Sequence, residues 1–108
     1  MIAEFENCQF NIWKADTFWL RFKGLMGTKS LPENSGLLLV GCSSIHCCFM
    51  NYTIDVVYLD DAYKVLAKET VKPWRIGKIV PGAKHVLELH EGCAKLIKVG
   101  EIMRITEV

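Results

Sequence analysis

The stretch that decides the fold runs from Ile54 to Val71, IDVVYLDDAYKVLAKETV. Ile54, Val56 and Tyr58 alternate with Asp55, Val57 and Leu59, and the run is rich in β-branched and aromatic residues, so it reads as a strand. DDAY fits a tight turn, and KVLAKETV then returns as a second strand, which makes the pair a hairpin. Asp60 and Asp61 are adjacent carboxylates at a strand end and point apart. With no further oxygen ligands at a useful spacing, they belong to a solvated turn rather than an ion site.

Working back toward the N-terminus, GLLLVG is an apolar strand candidate, followed by a bend at Ser43 and Ser44 and an extended piece, IHCCFM. TKSLPENSG before it is dense in turn formers. In ADTFWLRFKGLMG the period changes: Asp16 is a good N-cap and Phe18, Phe22, Leu25 and Met26 fall at helical spacing. That predicts a short helix from Thr17 to Lys23. CQFNIWK alternates Cys8, Phe10 and Ile12 on one face, which suits a half-buried first strand. Working forward, Pro73, Gly77, Pro81 and Gly82 punctuate the chain before KHVLELH, a strand. CAKLIK reads as a one-turn helix, and IMRITEV as the last strand.

With 108 residues and 51% hydrophobic composition, the chain is one domain, residues 1–108, able to bury its own core. The expected class is mostly β, a β-rich α+β arrangement: a small curled sheet or barrel with one or two short helices. A formal charge of +1 gives no chain-wide field to attract nucleic acid or an acidic membrane. Glu4 and Glu6 interrupt the place where a secretory signal needs an apolar run, and GLLLV is too short to span a bilayer. A soluble, cytoplasmic protein is the expectation. Five irregularly spaced cysteines read as free thiols rather than a disulfide framework.

The segments RFKGLMG, CSSIHCCFMNYTIDVVYLD, PWR, HVLELHEG and KVGE, in this order and spacing, resemble the domain of unknown function 192 family from about Arg21 to Met103. The resemblance implies a small barrel-like domain without an established biochemical role. The family pattern falls on Arg21, Gly24, Leu25, Met26, His46, Met50, Asp55, Leu87, Glu88 and Gly92. The chain departs from it at Cys47 and Cys48, where the family has threonine and often an aromatic, and at Glu101, where it has aspartate. Chemistry resting on Cys47 or Cys48 would therefore belong to this chain and not to the family.

His46 and Cys48 share one face of an extended strand at ~6.6 Å, while Cys47 points to the other. Cys42 would lie ~13 Å from His46 unless the chain bends at the two serines. His90 and Cys93 in HEGC could complete a zinc set with His46 and Cys48, and His85 is a further imidazole. No paired CxxC signature supports this, and the cysteines read more simply as small hydrophobes. No metal and no cofactor is expected.

Asp55 shares a face with Val57 and Leu59, where a carboxylate is costly unless it is paired or hydrogen-bonded. Arg21 and His46 are the partners the sequence suggests. One reading is a network that fixes the fold, with Asp55 capping a turn near Asn51 to Thr53. The other is a polar pocket in which Asp55 orients His46 and Arg21 meets an anionic group. From Lys64 to Lys84 six basic residues face Glu69 alone, with Tyr63 and Trp74 interleaved. Such a stretch could hold an acidic protein or phosphate-bearing ligand, or be a lysine-rich edge that discourages aggregation. Without a nucleic-acid motif, nucleic acid is the less favoured partner.

The function these residues point to is a small binding module. Its polar pocket is built from Arg21, His46 and Asp55, with Met50 joining from the family pattern and Arg75 on a basic rim. The ligand is an anionic small molecule or an acidic protein. Two alternatives stand beside it: a small Cys/His-dependent enzyme or metal-binding protein, and an interaction domain without a small-molecule site.

Overall fold

Among the described residues, seven strands form one mixed sheet in the order β5-β4-β6-β3-β2-β1-β7. In chain order they are β1 (Ile2–Glu4), β2 (Gln9–Ala15), β3 (Ser35–Val40), β4 (Ile54–Leu59), β5 (Val65–Val71), β6 (His85–His90) and β7 (Arg104–Thr106), with a 3-10 helix at Cys93–Leu96. The computed structural model describes residues 1–15, 33–43, 52–73, 75 and 77–107. The expected helix from Thr17 to Lys23 and the expected strand IHCCFM lie outside them.

The hairpin read from Ile54 to Val71 is present, with Ile54 opposite Val71 and Leu59 opposite Val65, and a bulge where Tyr58 gives way to Leu59. Asp60 Oδ1 accepts the N–H groups of Ala62 (2.9 Å) and Lys64 (2.8 Å). This carboxylate is thus the turn's own clasp. β4 pairs with β6 on its other side, and β6 with β3. These three strands are buried almost throughout, which explains their near-continuous apolar sequences. β2 and β3 run parallel, while every other pairing is antiparallel. β1 escapes a sequence reading because three residues, paired on both sides, carry too little period to detect.

The sheet curls until its two ends meet. Val65 donates to the Glu101 carbonyl and accepts from the Gly100 N–H, both at 2.8 Å, and Met103 donates to Tyr63 at 2.9 Å. Lys64 and Ile102 form a bridge. The chain entering β7 is therefore stitched to the start of β5, and the sheet approaches a barrel.

Because side chains alternate along each strand, this curl creates two apolar layers. One contains Phe10, Ile12, Leu38, Val57, Leu59, Leu87, Leu89 and Met103, with Ala94 and Ile97 of the 3-10 region packed against them. The other contains Leu37, Leu39, Ile54, Val56, Tyr58 and Val86. Gly36 lets β3 and β6 approach: a Cβ there would stand 2.7 Å from Leu89 Cδ2 and 3.0 Å from the Glu88 carbonyl. Glycine fits that contact without displacing either neighbour.

Candidate functional site

Asp55 faces the first of these layers, as its alternation with Val56 requires, and is only 4% exposed. The turn suggested near Asn51 to Thr53 begins outside the described residues; the carboxylate's hydrogen bonds come from β5 and the 3-10 helix. Oδ1 accepts the Thr70 hydroxyl at 2.8 Å, from the residue directly opposite on β5. Oδ2 accepts the Ala94 N–H at 3.0 Å. That N–H lies in the first turn of the 3-10 helix, whose cap residue Gly92 supplies no side chain. A carboxylate 39 residues away in sequence thus satisfies a helix-start donor that local sequence leaves orphaned.

Lys68 completes the arrangement from the next inward-facing position of β5, opposite Val57. Its Nζ donates to the carbonyls of Ala94 at 2.9 Å and Ile97 at 2.6 Å, with a longer contact of 3.4 Å to Lys95. Sequence reading places Lys68 among solvated surface lysines. Instead its ammonium is spent on the Ala94 carbonyl, which also accepts the Ile97 N–H within the turn, and on the Ile97 carbonyl at the turn's end. Gly92, at φ 88°, gives the chain the left-handed step it needs to enter this turn.

Between the sheet and the 3-10 helix lies an open cleft of ≈ 360 Å³, lined by Asp55, Lys68, Glu69 and Thr70 on one side and Gly92, Ala94 and Lys95 on the other. Asp55 and Lys68 are already committed to internal bonds, so Lys95, which is exposed, is the charge on its wall still available to a ligand. Glu69 is engaged as well: its Oε2 accepts the Tyr58 hydroxyl at 2.5 Å and the Lys78 N–H at 2.6 Å. No sequence signal marks Thr70, Lys68 or Lys95 as neighbours of Asp55, because their meeting depends on strand register and on the return of the chain after β6.

The connection from β5 to β6, residues 72–84, carries much of the basic segment. It is pinned by Lys78 to Glu69 and by the Lys84 N–H to the Leu59 carbonyl at 2.8 Å. Lys64, Lys72, Arg75, Lys78 and Lys84 are all exposed. Arg75 is not among the residues lining the cleft that contains Asp55. Arg21, His46 and Met50 lie outside the described residues, as do Cys47, Cys48 and Trp74.

Among the described residues no group of three or more His, Cys, Asp or Glu is placed to hold a metal. Cys93 Sγ donates to the Glu33 carbonyl at 3.1 Å, and burial, with Glu33 and Asp55 nearby, pushes its thiol pKa up. Cys8 is shifted the same way by burial, helped by Glu101 and Cys93. Both sulfurs are thereby held away from the nucleophilic thiolate. His85 is buried, stacks on Tyr63 at 4.7 Å between ring centroids, and accepts the Gly41 N–H on Nδ1 at 3.2 Å. Burial lowers its pKa, as the neutral ring in this bond requires.

Glu88 belongs to the family-like LELHEG stretch but not to the polar set read from the sequence. It lies between Leu37 and Val56 on the second apolar layer, is 1% exposed, and its Oε2 has no hydrogen-bond partner among the described residues. Burial alone pushes its pKa up to about 8. At neutral pH it is therefore mostly the uncharged acid.

No helix among the described residues is long and apolar enough to cross a membrane. The fold is shared with a crystal structure of a protein of unknown function from Novosphingobium aromaticivorans, with a TM-score of 0.85 at 17% identity over 96% of this chain and 83% of that one. A UPF0127 protein of Thermococcus sibiricus is 38% identical over 84 residues, 72% of this chain and 53% of its own. One of Thermococcus kodakarensis is 36% identical over 93 residues, 81% of this chain and 58% of its own. The chain spans little more than half the length of these curated relatives. The family model described as Uncharacterized ACR matches residues 2–106, nearly the whole chain, and the chain belongs to this family, DUF192.

Proposed function

We propose that this domain is a binding module for an anionic ligand or an acidic partner. The exposed cations Lys64, Lys72, Arg75, Lys78 and Lys84 make the first contact, and the polar pocket that the sequence assigns to Arg21, His46, Met50 and Asp55 takes the ligand's anionic group. The observation that carries this reading is that these five cations are exposed while the connection bearing most of them is tied down by backbone bonds from Lys78 and Lys84. Exposed charge carried on an anchored backbone attracts a partner of opposite sign without the cost of ordering a loose loop. Asp55 contributes from inside, by holding the 3-10 helix against the sheet.

The experiment is an NMR titration with a pentaglutamate peptide. The amides of Arg75 and Lys78 and the His46 ring should shift together, and the affinity should fall as salt rises. Combined Arg75→Ala and Lys78→Ala substitution should weaken binding by about threefold to tenfold. Silence at all these groups with millimolar peptide refutes the proposal. A response of the basic face with an unmoved His46 removes the pocket from it.

A further inference from the structure

We infer that the outer edge of β5 at Lys68 and Thr70 docks an extended acidic segment of a partner protein, which adds to the sheet as a further strand. The inference rests on the acidic-partner reading above and names where the partner's backbone sits.

The free edge follows from hydrogen-bond parity. The Leu59 carbonyl accepts the Lys84 N–H, on the β6 side of β4. Backbone groups turn to alternate sides along a strand, so Val57 and Asp55 also face β6, while Tyr58, Val56 and Ile54 face β5. Their partners Ala67, Glu69 and Val71 therefore turn their N–H and C=O inward. Lys68 and Thr70 turn theirs outward. Among the described residues β5 is the terminal strand of the sheet, and the stitching by Gly100 and Glu101 stops at Val65. Among the described residues no backbone bond continues it along Lys68 and Thr70.

Three further observations describe what fits there. The ≈ 360 Å³ cleft opens beside Lys68 and Thr70 and leaves room against the 3-10 helix. Leu96, Val99 and Ile102, on the segment bridged to the start of β5, are 54%, 61% and 58% exposed, so alternate apolar side chains of an added strand find cover. Lys64, Lys72, Lys95 and Lys98 are exposed around this edge, while the carboxylates beside it are engaged: Glu69 by Tyr58 and Lys78, Asp55 by Thr70 and Ala94, and Glu101 by the N–H groups of Glu6 and Lys98.

A lysine on an edge strand ordinarily discourages pairing by projecting its charge into the path of another strand. Lys68 does not do so, since the carbonyls of Ala94 and Ile97 hold its ammonium to one side. A second copy of β5 would set two lysine rims against each other, whereas an acidic strand neutralises them. Main-chain bonds then supply affinity and the alternating side chains selectivity.

The test uses the intact protein and a fluorescein-labelled peptide of alternating glutamate and valine, followed by anisotropy and amide NMR. Saturable binding should shift the Lys68 and Thr70 amides and slow their hydrogen exchange. N-methylation of alternate peptide residues preserves the charge but removes the donors, and should weaken binding about tenfold or more. Lys72→Glu and Lys95→Glu should each weaken it severalfold. Equal binding of the N-methylated peptide overturns the inference. Shifts confined to Arg75, Lys78 and Lys84 overturn it too, while leaving the acidic-partner reading standing. No binding refutes both, and dimerisation with protection at Lys68 and Thr70 gives the edge to a second copy instead.

Discussion

Asp55 and Lys68, from adjacent strands, hold opposite ends of the same 3-10 helix: the carboxylate takes the Ala94 N–H and the ammonium takes the Ala94 and Ile97 carbonyls. The signs match the helix dipole, negative at the start and positive at the end. A turn too short to be stable alone is thereby fastened to the sheet.

Asp55→Ala should destabilise the protein by about 1–3 kcal/mol, because the Ala94 N–H and the Thr70 hydroxyl lose a buried acceptor. Lys68→Ala should cost a comparable amount, unlike Lys72→Ala, which removes an exposed side chain and should stay within about 0.5 kcal/mol. The double variant should lose less than the two single losses added together, since both groups secure one element. Urea unfolding of the four proteins beside the parent measures all of this. A Lys68→Ala midpoint as close to the parent as that of Lys72→Ala would show that the ammonium is solvated.

Glu88 sets the alkaline side of the stability profile. Its pKa is raised from the ordinary 4.5 to about 8, so between these values the folded state binds more protons than the unfolded chain. Stability attributable to this group is complete below pH 4.5 and declines as the pH rises toward 8. Glu88→Gln keeps the shape without the titration, and should be the more stable protein at pH 8 by about 1–3 kcal/mol. Urea midpoints across this pH range provide the check; parallel curves for parent and variant would falsify the assignment.

His85 acts on the acidic side. Its pKa is lowered by burial, so the unfolded chain binds the proton more readily than the folded one. The stability contributed is present above the ordinary value of 6.5 and is lost as the pH falls below it. His85→Gln, which keeps an acceptor for the Gly41 N–H, should flatten this loss. Circular dichroism melts from pH 5 to 7 would show it as a smaller change in Tm.

Gly36→Ala should cost about 1–3 kcal/mol, since the new methyl meets Leu89 Cδ2 at 2.7 Å and the less yielding Glu88 carbonyl at 3.0 Å. Gly100, where an added Cβ meets nothing within 4 Å but φ is +98°, provides a contrast in mechanism: its loss is backbone strain alone. In a double-mutant cycle, Gly36→Ala and Leu89→Ala together should lose less than their two separate losses added, whereas Gly100→Ala and Leu89→Ala should simply add. Thermal unfolding of these variants distinguishes the two causes.

Much of the fold is written locally. Alternation in IDVVYL, the DDAY turn and the apolar GLLLV and HVLEL runs determine β4, the hairpin, β3 and β6, because each strand buries its side chains through a two-residue period that sequence displays directly. The same period fixes that Asp55 is internal. What it is bonded to is another matter: Thr70 reaches Asp55 through hairpin register, and the Ala94 N–H through the return of the chain after β6. Nor could Lys68 be separated from its exposed neighbours by charge, since only the position of the 3-10 helix supplies the carbonyls that capture it. Glu88 was visible as a member of the family pattern, yet its place between Leu37 and Val56, and hence its neutral state, arises from two strand pairings at once. Which residues turn inward is legible in the residues themselves, a consequence of backbone geometry. Which inward polar groups find partners, and which edge stays open among the described residues, follows from the assembled fold, because both depend on contacts between segments distant in the chain.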